Sequence, residues 1–126
     1  MTDALAAVLR AALASELACQ GLELATDMLA SEQKGLDAVR AKATEGPQNA
    51  RISRILFLAN DGSTRFYRDC DAQISRYQRR LLACRLDIAG EDLGNLLLGS
   101  PRLVRSVLVF DKKVAAKALL ALLPPA

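Results

Sequence analysis

Residues 51–64, running Arg51-Ile52-Ser53-Arg54-Ile55-Leu56-Phe57-Leu58-Ala59-Asn60-Asp61-Gly62-Ser63-Thr64, constrain the fold of this chain more than any other stretch. Ile55 to Ala59 is an unbroken apolar run, partly β-branched and aromatic, closed by the turn residues Asn60-Asp61-Gly62-Ser63. A run that short, stopped by turn residues, predicts a strand buried on both faces. Ser63 or Thr64 can cap a helix directly afterwards, with Tyr67, Ile74 and Tyr77 along its apolar side. Strand, polar turn and capped helix form the core of a parallel α/β unit. Ligands of such sheets sit outside the carboxyl ends of the strands, so Asn60 to Ser63 is where function is expected.

A chain of 126 residues, 52% of them hydrophobic, has room for a core without metals or disulfides and is no disordered segment. The net charge of +3 is unevenly spread: residues 1–50 balance at −3 and residues 51–126 at +6. That asymmetry points to an anionic partner for the second half, with a solvated charged surface as the plainer alternative. The three cysteines, Cys19, Cys70 and Cys84, have no paired spacing, which favours reduced thiols in the cytoplasm or an organellar matrix. With no histidine, a zinc site is not expected, and hydrolases that use histidine as general base are excluded. No run of about eighteen apolar residues suggests a membrane span. Met1 to Ala14 is apolar but carries Asp3, with Glu16 just beyond; this suits an amphipathic helix better than a signal or transit peptide.

Along the chain, Leu5, Val8, Leu9, Ala12, Leu13 and Leu17 recur at helical spacing, predicting a helix over 2–19 capped by Thr2 and ended or bent at Gly21. Leu22 to Ala30 reads either as helix or as a short edge strand. Gly35 to Lys42 predicts a further helix, stopped by Gly46-Pro47. After the helix at 64–79 come a strand at 81–86, a short helix at 90–99, a β-branched strand at 104–110, and a helix from Lys112 to Leu123 capped by Asp111 and stopped by Pro124-Pro125. The alternation predicts an α/β fold: a three-layer α/β/α sandwich around a mixed sheet of about four strands. Residues 1–20 are expected as a helix packed on a domain made by residues 21–126.

In order and spacing, the chain resembles the kink-turn-binding ribosomal proteins of the large subunit and their small bacterial ribosome-associated relatives. The resemblance covers roughly residues 20–123. It rests on Lys34-Gly35-Leu36-Asp37-Ala38-Val39, the strand Ile55 to Ala59 ending in Asn60-Asp61, Ser63-Thr64 opening a helix, Asp92 to Gly99, and a β-rich strand ending Asp111-Lys112-Lys113. It implies that a glycine-led helix start, the turn after the central strand and the loop before the last strand converge on RNA. Carried over by position, these are Lys34, Gly35 and Asp37; Asn60 and Asp61; and Arg102, Val104 and Arg105. Short polar side chains would meet base edges, and Lys34, Arg102 and Arg105 would position phosphates. Where RNA-binding members carry an Asn-Glu pair, this chain has Asp37 and Ala38. That departure weakens the expectation of specific kink-turn recognition.

The densest basic feature is Arg65, Arg68, Arg76, Arg79, Arg80 and Arg85, with Tyr67 and Tyr77 nearby. Arg65, Arg68 and Arg76 fall near one helical face, as in a phosphate-tracking surface; the alternative is a solvated helix with Asp69 and Asp71 as neutralising neighbours. Asp61, Asp92 and Asp111 are explained as caps, and Gly90 to Gly99 lacks the ending of a phosphate loop. The expectation is therefore a non-enzymatic RNA-binding protein without cofactor or metal. Its partners would be structured RNA, rRNA above all, and other ribosomal or protein subunits, with no membrane. The alternatives are an assembly subunit without direct RNA readout and a small enzyme or nucleotide binder at the strand ends.

Overall fold

The computed structural model describes residues 2–42, 53–77 and 80–122. The expected break at Gly46-Pro47, Arg79 and the stop at Pro124-Pro125 lie outside these residues, as does the side chain of Asp37. The elements run α1 (Asp3–Ala14), β1 (Ala18–Gln20), α2 (Leu22–Lys42), β2 (Arg54–Leu58), α3 (Thr64–Arg76), β3 (Leu81–Arg85), α4 (Gly90–Leu98), β4 (Ser106–Val109) and α5 (Lys112–Leu122).

The strands form one mixed sheet in the order β1-β4-β2-β3. β2 and β3 are parallel, joined through α3, while β4 runs antiparallel to both β1 and β2. Three strands therefore point their carboxyl ends the same way, and β4 begins at that end. The central strand behaves as its apolar run predicts. Ile55, Leu56, Phe57 and Ala59 are all at 0% exposure, because Ile55 and Phe57 face one helical layer and Leu56 and Leu58 face the other. Leu5 and Leu9 of α1, Leu93 and Leu97 of α4 and Ala115 and Ala118 of α5 cover the first face. Ala25 and Leu29 of α2, with Cys70 and Tyr77, cover the second. Each large side chain buried this completely contributes on the order of 1.5–3 kcal/mol to folding. The three-layer α/β/α architecture is the one the sequence predicts.

The caps also follow the sequence. Thr2 Oγ1 accepts from Leu5 N at 3.2 Å, Ser63 Oγ from Phe66 N at 3.1 Å and Asp111 Oδ2 from Val114 N at 3.0 Å. Gly99, at φ 67°, closes α4 in the left-handed conformation that glycine adopts without penalty.

Two expectations need correction. The first helix stops at Ala14 rather than 19: the chain reverses through Glu16 at φ 60°, and residues 18–20 join the sheet edge beside β4. Leu13 and Leu17 keep helical spacing, so a three-residue strand leaves no periodicity of its own. The first twenty residues thus supply a strand as well as a packed helix. Second, Leu22 to Ala30 and Gly35 to Lys42 are a single helix, α2, with Gly35 in its interior. An interior glycine costs a helix about 1 kcal/mol, which a 21-residue helix anchored at Ala25 and Leu29 absorbs.

Candidate functional site

At the carboxyl ends of β2 and β3, two loops are locked to the start of α4. The amide of Asn60 donates to Ile88 O at 2.9 Å, and that of Ala59 to Arg105 O at 2.9 Å. Asp61 Oδ1 accepts from the Gly90 amide at 2.9 Å, and Gly90 O accepts from Val104 N at 3.0 Å. Gly90 therefore ties the turn after β2 to the loop before β4. The loop lies against α4 so closely that a Cβ on Gly94 would overlap the Arg102 carbonyl, whose carbon would be only 2.6 Å away. A Cβ on Gly90 would sit 2.9 Å from Leu103 Cδ1. Two glycines one helical turn apart let the loop backbone approach α4.

This frame holds exposed side chains at one end of the sheet. Asn60, Arg102 and Arg105 are exposed, as are Arg65 and Arg68 in the first two turns of α3 and Arg85 at the end of β3. Gln20, Gly21 and the residues Arg102 to Arg105 line an open cavity of about 270 Å³. Carboxylates are interspersed: Asp61, Asp87, Glu91 and Asp92 are exposed too, as is Glu23 in the first turn of α2, so the surface is mixed in charge. Guanidinium forks suit bidentate contacts to phosphate, and the Asn60 amide offers both a donor and an acceptor.

No family model matches the chain, and no curated protein matches it significantly.

The structure brings together only part of the expected site. Asn60, Asp61, Arg102, Val104, Arg105, Arg65 and Arg68 share the carboxyl end. Lys34, Gly35 and Asp37 do not: α2 starts beside Gly21 at that end and runs away from it. Twelve residues at 1.5 Å each carry Lys34 roughly 18 Å along the helix axis. Glu32, two residues earlier, already pairs with Arg54 and Arg80 at the amino ends of β2 and β3. The expected convergence fails for a simple reason: Gly35 does not open a helix, so it offers no free amides, and its stretch lies at the wrong end of the sheet.

Among the residues that do converge, roles differ. Val104 is buried, at 3% exposure, and holds the loop through its amide instead of presenting a side chain. The Asp61 carboxylate is occupied as a cap for α4, whose own capping position, Ala89, has no side-chain acceptor. Arg80 is also removed from the expected basic cluster. Its Nη1 bonds Glu32 at 3.0 Å, its Nη2 donates to Leu29 O at 3.1 Å, and its guanidinium lies 5.6 Å from the Tyr77 ring centre. Burial pulls the Glu32 carboxyl upward, but hydrogen bonds and charge from Arg54 and Arg80 outweigh this and hold it below the ordinary carboxylate range.

Residues that sequence reasoning passed over include Gly90 and Gly94, whose four-residue spacing signals close backbone approach on a helix. Arg85 appears in the basic cluster but not among the expected contacts. Its partner across the sheet is Leu58, two residues before Asn60. The chain's cysteines are Cys19, Cys70 and Cys84. All are free, and burial raises each thiol, Cys70 to about 11 with Asp71 and Asp69 adding to the shift. Among the described residues, no helix is long and apolar enough to cross a membrane.

Proposed function

We propose that this is a non-enzymatic RNA-binding protein, a component or accessory of a ribonucleoprotein such as the ribosome, acting through the carboxyl end of its sheet. The observation that carries the reading is the double tie at Gly90. It holds the Asn60 turn and the Arg102–Arg105 loop in one frame, with five exposed arginines (65, 68, 85, 102 and 105) around them. Phosphates would be positioned by the arginines, and exposed base edges would be met by Asn60. Lys34, Gly35 and Asp37 take no part, so the contact rests on backbone positioning and unpaired bases more than on recognition of a kinked RNA. The same reading puts the protein in the cytoplasm or an organellar matrix, where its thiols stay reduced.

The test is binding to a kink-turn RNA and to an unstructured RNA across a salt series. About five phosphate contacts predict a log–log salt slope of roughly −3 to −4 on single strands. Replacing both Arg102 and Arg105 by Ala should weaken binding and reduce the slope by about 1.4, and Asn60→Ala should weaken binding without changing the slope. Lys34→Ala should change neither. Absence of binding at low salt would overturn the reading.

A second reading has one observation in its favour. Leu24 and Leu103 are 56% and 54% exposed at this same end, which suits a protein subunit docking there without RNA. Copurification of a stoichiometric protein partner, combined with no RNA binding, would favour it.

A further inference from the structure

The Arg85 guanidinium lies over the Tyr67 ring, 3.9 Å from its centre, at the carboxyl end of β3. Tyr67 is itself fixed: its hydroxyl accepts from the Gly62 amide at 3.0 Å and donates to the Ala59 carbonyl. Both partners belong to the backbone around the Asn60 turn, so the ring is clamped to the very loop that presents Asn60. The guanidinium carbon thus sits over a half-buried ring, while Arg85 remains an exposed residue. Two residues beyond the paired Leu58 and Arg85 on each segment, Asn60 Nδ2 and Asp87 Oδ1 stand 3.5 Å apart, a separation too long for a strong hydrogen bond. Both groups keep hydrogen-bonding capacity to spare.

A guanidinium plane supported from below by an aromatic ring has the shape and size of a stacking surface. Aromatic rings and arginine planes are the two protein surfaces on which unpaired bases stack, and such stacking tolerates any base. We infer that the Arg85–Tyr67 stack is a platform for one unpaired RNA nucleobase, which lies on the open face of the Arg85 guanidinium with its edge toward Asn60 and Asp87. This rests on the RNA-binding reading and adds to it the kind of nucleotide bound and the residues that hold it. The charge of Arg85 alone would attract any phosphate. What the stack adds is a flat surface whose orientation is settled before RNA arrives, so little ordering entropy is lost on binding.

Charge and plane are separated by Arg85→Lys, which keeps the cation and removes the stacking surface. The probe is a short single-stranded RNA with one 2-aminopurine, whose fluorescence falls when it stacks. On the native protein the probe should be quenched on binding. Arg85→Lys should bind about tenfold more weakly, leave the salt slope unchanged and lose the quenching. Tyr67→Phe keeps the ring but frees it from Gly62 and Ala59, and should lose a smaller part of both signals. Circular dichroism and urea unfolding check that each variant is folded. If Arg85→Lys binds as tightly as the native chain with quenching intact, Arg85 is a point charge only and the platform is overturned. If the native protein binds no RNA at low salt, the broader RNA-binding reading is the one that fails.

Discussion

The carboxylate of Asp61 accepts a hydrogen bond from the amide of Gly90, a residue on another element twenty-nine positions further along the chain, at 2.9 Å. A helix start leaves its first amides without partners, and an acidic oxygen there is also favoured by the helix dipole. α4 has Ala89 at its capping position, so the turn after β2 supplies what the local sequence lacks. Asp61→Ala should therefore destabilise the protein by about 1 kcal/mol, while Asp61→Asn, which keeps an acceptor oxygen, should lose much less. Urea unfolding of the two variants checks this. Equal losses would mean that the charge, and not the hydrogen bond, is what matters.

Two glycines inside helices should respond to alanine with opposite signs. Gly35 has open space where a Cβ would go, and alanine there gains helix propensity, so Gly35→Ala should stabilise by roughly 0.5–1 kcal/mol. Gly94 faces the Arg102 carbonyl, and the same propensity gain is overwhelmed by overlap with backbone that the Val104–Gly90 hydrogen bond holds in place. Gly94→Ala should cost about 3 kcal/mol or more and shift the Arg102–Arg105 loop. Thermal unfolding of the pair reads both signs in one experiment.

Glu32 joins α2 to the amino ends of β2 and β3 through Arg54 and Arg80. Its carboxyl is held below the ordinary value in the folded protein. The stability it adds is therefore complete above the unfolded pKa of about 4.3 and is lost as pH falls through the lower folded value. Glu32→Gln should cost about 1–2 kcal/mol at neutral pH, the pair being only partly buried, and should flatten the acid limb of stability below about pH 4.3. Unfolding curves between neutral and acid pH, compared for the two proteins, decide the matter.

Much of the fold is legible in the sequence because its signals are local. The apolar run Ile55 to Ala59, the caps Thr2, Ser63 and Asp111, and the terminator Gly99 each act within a few residues. What was not legible depends on partners distant in the chain. Ala18-Cys19-Gln20 is a strand because β4 is available to pair with it, and three residues show no alternation. Gly35 looks like a helix start, since glycine punctuates chains, yet the core contacts of Ala25 and Leu29 override that propensity. The site divides in the same way. The Asn60 turn follows from the strand before it, and Arg102 to Arg105 from the strand after it. The separation of Lys34 from both follows from the length of α2, which no motif reports. Asp61 reads as a local cap but serves a remote helix, a role visible only once α4 is in place.

The position of β4 has a consequence for how the chain assembles during synthesis. Among the described residues, β1 pairs with no strand but β4, its Ala18 opposite Val109, and β2 borders β4 on the other side. The unit β2-α3-β3 spans residues 54–85 and can close soon after it is made. β1 cannot: emerging first, it waits for a strand some ninety positions later, and such long-range pairing is slow. Until residues 106–109 arrive, one edge of β2 stays open to any extended chain nearby.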